Sequence, residues 1–358
     1  MRDAAAAWKR VASAAHVTDP LSLPGTGLVA LGAFTFADDS AKTSVLIVPS
    51  IIVGRRDGVS WITRVNCEDP LPPLQPLGPD FTMKFDFGPL DRPGYVAAVK
   101  AALGHLRSGE LSKVVLARSM VAELPGDADV RVILDRLASG YPDTYTFAVD
   151  GLIGSSPETL VTADHGAVTA RVLAGSAPRG ADIHADEEAA STLASSTKDL
   201  DEHEYALRSL LASLAPHSRN VMASEQPFTL KLPNLWHLAS DVEGELTDGS
   251  SSLDLIAALH PTAAVAGTPT DRALAVIHEL EPFDRGRYAG PVGWVGADGD
   301  GEWAIALRSA EVDDDCTVRA YAGAGIVADS DPDTELAETR MKFRPVVDAF
   351  GQATGARG

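Results

Sequence analysis

Glu335, Glu338 and Lys342, in the segment ELAETRMK, are spaced three and four residues apart, so on a helix their side chains stack along one stripe. Asp199 and Glu202, in STKDLDEHEYALRSLL, repeat the three-residue spacing. Like charges so placed destabilise a bare helix by roughly 0.2–0.5 kcal/mol per pair. One such pair alone reads as a solvated acidic face. Two in one chain point to something cationic between them. Because carboxylates are the only clustered ligands, that cation should be a hard one, and Mg2+ suits it best.

Other catalytic patterns fail on their neighbours. His203-Glu204 and His278-Glu279 lack the second histidine of a zinc-protease helix, and no histidine follows a glutamate by three residues, as a di-iron bundle requires. The run GAGIVA (323–328) fits G-x-G-x-x-A, but Asp-Ser-Asp-Pro follows it, a turn and not a helix opening that could face a pyrophosphate. No glycine precedes a lysine, which removes a P-loop, and no G-x-S-x-G elbow occurs.

A formal net charge of −20 over 358 residues argues against nucleic acid or an anionic membrane as partner. It would also repel a small anionic substrate, unless local basic groups or a bound metal reverse the field. No apolar run approaches a membrane span, and Met1–Arg10 carries no signal-peptide core. Cys67 and Cys316 are too few for a disulfide framework or a thiolate metal site. The expectation is a soluble, cytoplasmic, globular protein.

These residues need elements to position them. Residues 1–90 hold strand-like runs (SVLIVPSIIVG, VSWITRV) and a proline-rich stretch, DPLPPLQPLGP, and read as an N-terminal β-rich lobe completing the fold. Residues 91–350 read as the catalytic region. A helix opens at Asp91, with Pro93 in its first turn and Gly109 as its stop. The strand KVVLARSMVAEL, the helix DVRVILDRLAS and strands over TYTFAVDGLIGSSPETLVTAD and GAVTARVLAGS follow. Residues 185–214 are expected to be largely helical, and FTLKLPNLWHLASDVEGEL to be strand. Two short helices (LDLIAALH, DRALAVIHELE), a hairpin turning at Asp298–Gly301 and the strand TVRAYAGAGIV lead to the last helix. Strands in consecutive groups, without strict βαβ alternation, predict an α+β fold with large, mostly antiparallel sheets.

Nine short segments fit together in order: SKVVLAR with Lys113, GSSPETL with Glu158, RVLAGSAPRG with Gly175 and Ser176, KDLDEH with Glu202, LWHLASDVEG with His237, HPTAAVAGTP with Ala264, ALRSA with Arg308, YAGAGIV with Gly323 and Gly325, and ETRMK. At these distances the chain resembles the chorismate-utilising enzymes, most closely the isochorismate synthase type. The resemblance runs from about Gly94 to Val346 and is weak over the first 80 residues.

That resemblance implies two antiparallel sheets packed between helices, as in anthranilate synthase component I. It implies Mg2+ on the substrate's ring carboxylate, with Glu202 and Glu338 as direct ligands and Asp199 and Glu335 holding the metal's waters. It places Lys342, Arg308, Gly323 and Gly325 around the substrate carboxylates, with Gly175, Ser176, His237, Ala264 and Tyr288 also lining the site. Without it, His237 would read equally well as a core histidine.

Converting chorismate to isochorismate adds water at C2 of the ring and expels the C4 hydroxyl, so it needs a base and an acid. The resemblance assigns Lys113 as base and Glu158 as acid. Alone, Lys113 would read as an edge-strand lysine that discourages aggregation. An apolar strand face and a nearby cation both favour the neutral amine a base requires, while Glu158 must be held protonated.

Three positions sort the chain within the family. Members that use ammonia typically carry glutamine where Lys113 stands, so lysine fits water and no amidotransferase subunit is expected. Ala174 stands where aminodeoxychorismate synthases have a nucleophilic lysine. Ala264 stands where salicylate and anthranilate synthases, which eliminate pyruvate, tend to have threonine. Tyr288 departs from this pattern, since it matches a tyrosine of salicylate synthases. A salicylate synthase is therefore the alternative.

Overall fold

The computed structural model describes residues 1–232 and 235–351. Residues 1–90 open with a helix, α1 (Arg2–Ala14), which the strand-rich reading of that stretch left out. Strands β1 (Val29–Ala33), β2 (Val45–Ile47), β3 (Ile51–Arg56), β4 (Val59–Arg64) and β5 (Asp86–Phe87) follow. Then come α2 (Arg92–Arg107), β6 (Lys113–Glu123), α3 (Val130–Gly140), β7 (Tyr145–Val149), β8 (Leu152–Ser156), β9 (Thr159–Asp164) and β10 (Ala167–Pro178). Two helices, α4 (Ile183–Ser195) and α5 (Thr197–Leu214), precede β11 (Ser218–Ala223), β12 (Phe228–Lys231) and β13 (Leu235–Leu246). The strand expected across 228–246 includes Pro233 and Asn234, which lie outside the described residues. The chain continues through α6 (Ser252–Leu259), β14 (Gly267–Thr268), α7 (Thr270–Leu280), β15 (Pro291–Gly296) and β16 (Gly301–Ile305). It ends with β17 (Ser309–Val312), β18 (Thr317–Ile326) and α8 (Pro332–Ala349).

Two large sheets organise these elements, and their strand pairs are antiparallel. The nine-stranded sheet runs β11-β13-β10-β9-β16-β15-β1-β2, with β12 also on β13. The seven-stranded sheet runs β14-β6-β18-β17-β8-β7, with β5 also on β6. This is the α+β architecture expected from the grouping of strands. The β3–β4 hairpin stands apart from both sheets.

The N-terminal residues are built into the larger sheet. β1 zips onto β15 from Val29↔Gly296 to Ala33↔Val292. Trp8 on α1 is buried and donates its indole N–H to Gly296 O at 2.8 Å. Among the described residues, no helix is long and apolar enough to cross a membrane.

Helix starts carry the chemistry expected of them. Asp91 caps α2 by accepting from Gly94 N–H at 2.9 Å, with Pro93 in the first turn. Ser196 caps α5 and Asp331 caps α8 in the same way. Asp199 and Glu335 therefore lie in first turns, where the helix dipole favours negative charge.

Candidate active site

Two of the places where the chain steps from one large sheet to the other carry a charged side chain. β8 belongs to the smaller sheet and β9 to the larger, and Pro157 and Glu158 make the step between them. Ser156 Oγ–H donates to Ile305 O at 2.6 Å, Glu158 N–H to Ser156 Oγ at 3.2 Å, and Ile305 N–H to Glu158 O at 3.1 Å. The second crossing, residues 306–308, joins β16 to β17. Arg308 there has φ 50°, a left-handed conformation that costs a non-glycine residue about 1 kcal/mol or more. Ser155 N–H donates to Arg308 O at 3.1 Å and Ala306 N–H to Gly290 O at 2.8 Å, so backbone bonds pin both crossings.

Between them lies a narrow pocket of about 50 Å³. Glu158, Gly175, Ser176, Glu202, His237, Ala264, Tyr288, Arg308, Gly323, Gly325 and Lys342 all line it. Lys113 opens β6 and is fully buried, with Nζ 3.1 Å from Glu202 Oε1. That approach is off-axis, so the amine has a counter-charge but no well-aligned hydrogen bond. β6 is paired along both edges, by β18 on one and by β14 and β5 on the other. An edge-strand, anti-aggregation role for Lys113 is thereby excluded.

Burial sets the charge state of the acid. Removal from water pushes the Glu158 carboxyl up to about 7, against the opposing pull of Lys113, Arg308 and Lys342. Burial would raise Glu202 too, but Lys113, Lys342 and Lys198 outweigh it and hold that carboxyl below its ordinary value. Burial lowers Arg308 and depresses His237 well below the usual imidazole range, with Arg308 and Lys342 adding to the latter.

His237 is therefore neutral at physiological pH. Arg308 Nη2 can only donate toward His237 Nε2, at 3.4 Å, which assigns the ring proton to Nδ1, near Ser176 Oγ at 3.0 Å and Gly175 O at 3.3 Å. Ser176 reaches this position because the β10–β13 register slips between Leu173 and Ser176, with Gly175 at φ 82° in the bulge. Tyr288 stacks on Tyr321 with centroids 5.1 Å apart, and burial pushes its hydroxyl up to about 12.

The two acidic helices come together at the pocket's rim. Lys342 Nζ donates to Glu338 Oε1 at 2.5 Å and to Gly323 O at 3.2 Å, and Lys198 Nζ to Glu335 Oε1 at 2.8 Å. Glu335 is 1% exposed, so the stripe is not a solvated face. Burial raises both Asp199 and Glu335, and neighbouring carboxylates add to this: Glu202 and Glu338 act on Asp199, and Glu338 acts on Glu335. A Cβ at Gly325 would sit 2.3 Å from Glu202 Oε1 and 3.0 Å from Lys113 Cε, so only glycine leaves room for that carboxylate.

This donor set fits a hard divalent cation. It is all carboxylate oxygen, drawn from two facing helices, and its anions repel one another. Among the described residues, only Asp164, His165 and Asp300 bring three ligand atoms within 4.8 Å of one another, and they are at a surface turn. The helix carboxylates therefore form no closed protein cage. That suits Mg2+, which keeps several waters and takes one or two carboxylates together with a substrate anion.

Sequence reasoning missed Lys198, Glu281 and Arg285. Arg285 lines the pocket and is bonded to Glu281 at 2.6 and 2.8 Å. The four-residue spacing of Glu281 and Arg285 was the available signal. A larger cleft of about 1270 Å³, between residues 1–3, 36–41 and 281–285, contains none of the sequence-predicted site residues.

A family model for chorismate binding enzymes matches residues 83–351. The isochorismate synthase DhbC of Bacillus subtilis (strain 168) is 43% identical over 269 residues, covering 72% of this chain and 67% of that protein. The MenF protein of Mycobacterium tuberculosis (strain ATCC 25618 / H37Rv) is 37% identical over 340 residues, covering 91% of this chain and 87% of that one. Among solved structures, the DhbC protein of Bacillus anthracis superposes with a TM-score of 0.81 at 35% identity, covering 98% of this chain and 89% of that one.

Proposed function

This chain belongs to the chorismate-binding enzyme family, and from that premise we propose that it is an Mg2+-dependent isochorismate synthase. It adds water at C2 of chorismate and expels the C4 hydroxyl. One observation carries the reading. Glu158, held near half-protonation at neutral pH by burial, shares a single pocket with Arg308, Lys342 and Glu202, and Glu202 is ion-paired to buried Lys113.

In this reading Arg308 and Lys342 take the substrate carboxylates, and the Gly323 and Gly325 backbone allows close approach. These cations reverse, locally, the repulsion of an anion by a chain of net charge −20. Lys113, in its neutral amine form, accepts a proton from the attacking water, and Glu158 donates one to the departing hydroxyl. His237, neutral and fixed through Nδ1, presents Nε2 beside Arg308 and orients the ring. Glu202 and Glu338 would hold Mg2+, and Asp199 and Glu335 its waters, supplying positive charge for the ring carboxylate. With water as nucleophile, no amidotransferase subunit is called for.

The test is a chromatographic product assay with chorismate and Mg2+, following pyruvate in parallel. Isochorismate without pyruvate is expected, as Ala264 provides no hydroxyl to hold the ring for elimination. Pyruvate release at the rate of chorismate loss would replace this reading with a salicylate synthase. Lys113→Ala and Glu158→Ala should each slow turnover by about 10²–10⁴-fold while still binding chorismate. If Lys113→Ala kept more than about a tenth of the rate, another group would be the base.

A further inference from the structure

The strand that carries Lys113 has a gap in one of its hydrogen-bonded edges. β18 pairs β6 along one edge from Val114 to Glu123. On the other edge, β14 covers Lys113 and Val114, Val115 N–H donates to Ala266 O at 2.8 Å, and pairing resumes at Ser119, Met120 and Val121. That leaves Val115 O and Ala117 N–H with no neighbouring strand, deep in the core, where unpaired backbone groups are not tolerated.

Two side chains fill the gap. Ala117 N–H donates to Glu281 Oε1 at 2.7 Å, and Arg285 Nη2 donates to Val115 O at 2.8 Å. The same guanidinium donates to Val265 O at 2.9 Å through Nη1 and is forked to Glu281 through Nε and Nη2. Arg285 is 3% exposed and packs over Phe36 at 4.3 Å. Four of its five N–H donors are thus committed to the protein, which leaves it little capacity to bind substrate.

We propose that the Glu281–Arg285 pair is a positioning unit: it replaces a missing stretch of β-strand and locks the Lys113 strand to the Ala264–Val265 loop across the active site. One clamp thereby sets the spacing between the proposed base and the residue expected to govern product choice. The inference rests on the isochorismate synthase reading for its kinetic consequence, but not for its structural one.

Arg285→Lys keeps the charge beside Glu281 but cannot serve two carbonyls and a bidentate carboxylate at once. It should lower kcat for chorismate at least about tenfold with KM changed less than about threefold, because the substrate's cations are untouched. Glu281→Gln, a milder change, should show the same split should Arg285→Lys not fold. Arg287→Lys is the control. Arg287 is equally buried and holds Thr43 O and Asp150 O, away from β6, so its loss should lower Tm and leave kcat within about twofold.

Amide hydrogen exchange reads the clamp without any assay of turnover. The Ala117 amide should lose protection in Glu281→Ala, which removes its acceptor, and keep it in Arg287→Lys. If Ala117 protection is unchanged in Glu281→Ala, or if kcat tracks Tm alike in Arg285→Lys, Glu281→Gln and Arg287→Lys, the positioning role is overturned. A wild type that exchanges as expected but does not turn over chorismate would overturn the proposed function and leave the clamp standing.

Discussion

Burial holds the Glu158 carboxyl at about 7 although Lys113, Arg308 and Lys342 all pull it down. The ordinary value is 4.5, so between roughly pH 4.5 and 7 the folded protein keeps a proton that the unfolded chain has released. The stability contributed by this group is fully present below the lower value and is lost as pH rises through the upper one. Above pH 7 the penalty reaches roughly 3 kcal/mol. Glu158→Gln, neutral at every pH, should therefore melt higher than the wild type at pH 8 and not at pH 5. Thermal melts of both proteins at the two pH values check this, and parallel curves would contradict it. The same proton sets the rate: as the donor form thins above pH 7, turnover should fall about tenfold per pH unit.

At the scale of elements, α5 and α8 bring two acidic stripes together, and three lysines answer them. Lys113 faces Glu202, Lys342 faces Glu338, and Lys198 faces Glu335. Mg2+ titrated into the wild type should raise Tm, because a cation binding only the folded state stabilises it. Glu338→Ala should fold yet show no such rise, and chelator should abolish turnover until Mg2+ is restored. Full activity in excess chelator would remove the metal from the reading. These helices were legible in the sequence because their signal is local: spacings of three and four, a capping Ser or Asp and, for α8, proline in the first turn. The surroundings of Lys113 were not. Alternation along β6 tells which side chains share a face, but not that residues 267–268 and 317–326 flank the strand. The Glu281–Arg285 clamp was hidden for the same reason, since its backbone partners on β6 lie more than 150 positions away.

The whole molecule depends on a pairing that no local pattern announces. The family model's match begins at residue 83, yet β1 supplies an interior strand of the larger sheet. It covers β15 over five residue pairs, and β15 leads into β16 and the Arg308 crossing. Around it, Trp8 bonds Gly296 O, Phe34 packs on Trp303 at 5.6 Å, and Phe36 lies beneath Arg285. Removing residues 1–82 would strip these contacts and leave β15 as a long, apolar, unpaired edge, which invites aggregation. The shortened chain should be insoluble or lack a cooperative melt, although it retains Lys113, Glu158 and both acidic helices. Trp8→Ala should show a milder form of the same loss, about 3–5 kcal/mol of stability with KM for chorismate unchanged in the folded fraction. A soluble 83–358 fragment that melts cooperatively and turns over chorismate would show that the N-terminal residues are an accessory to the fold and not part of its core.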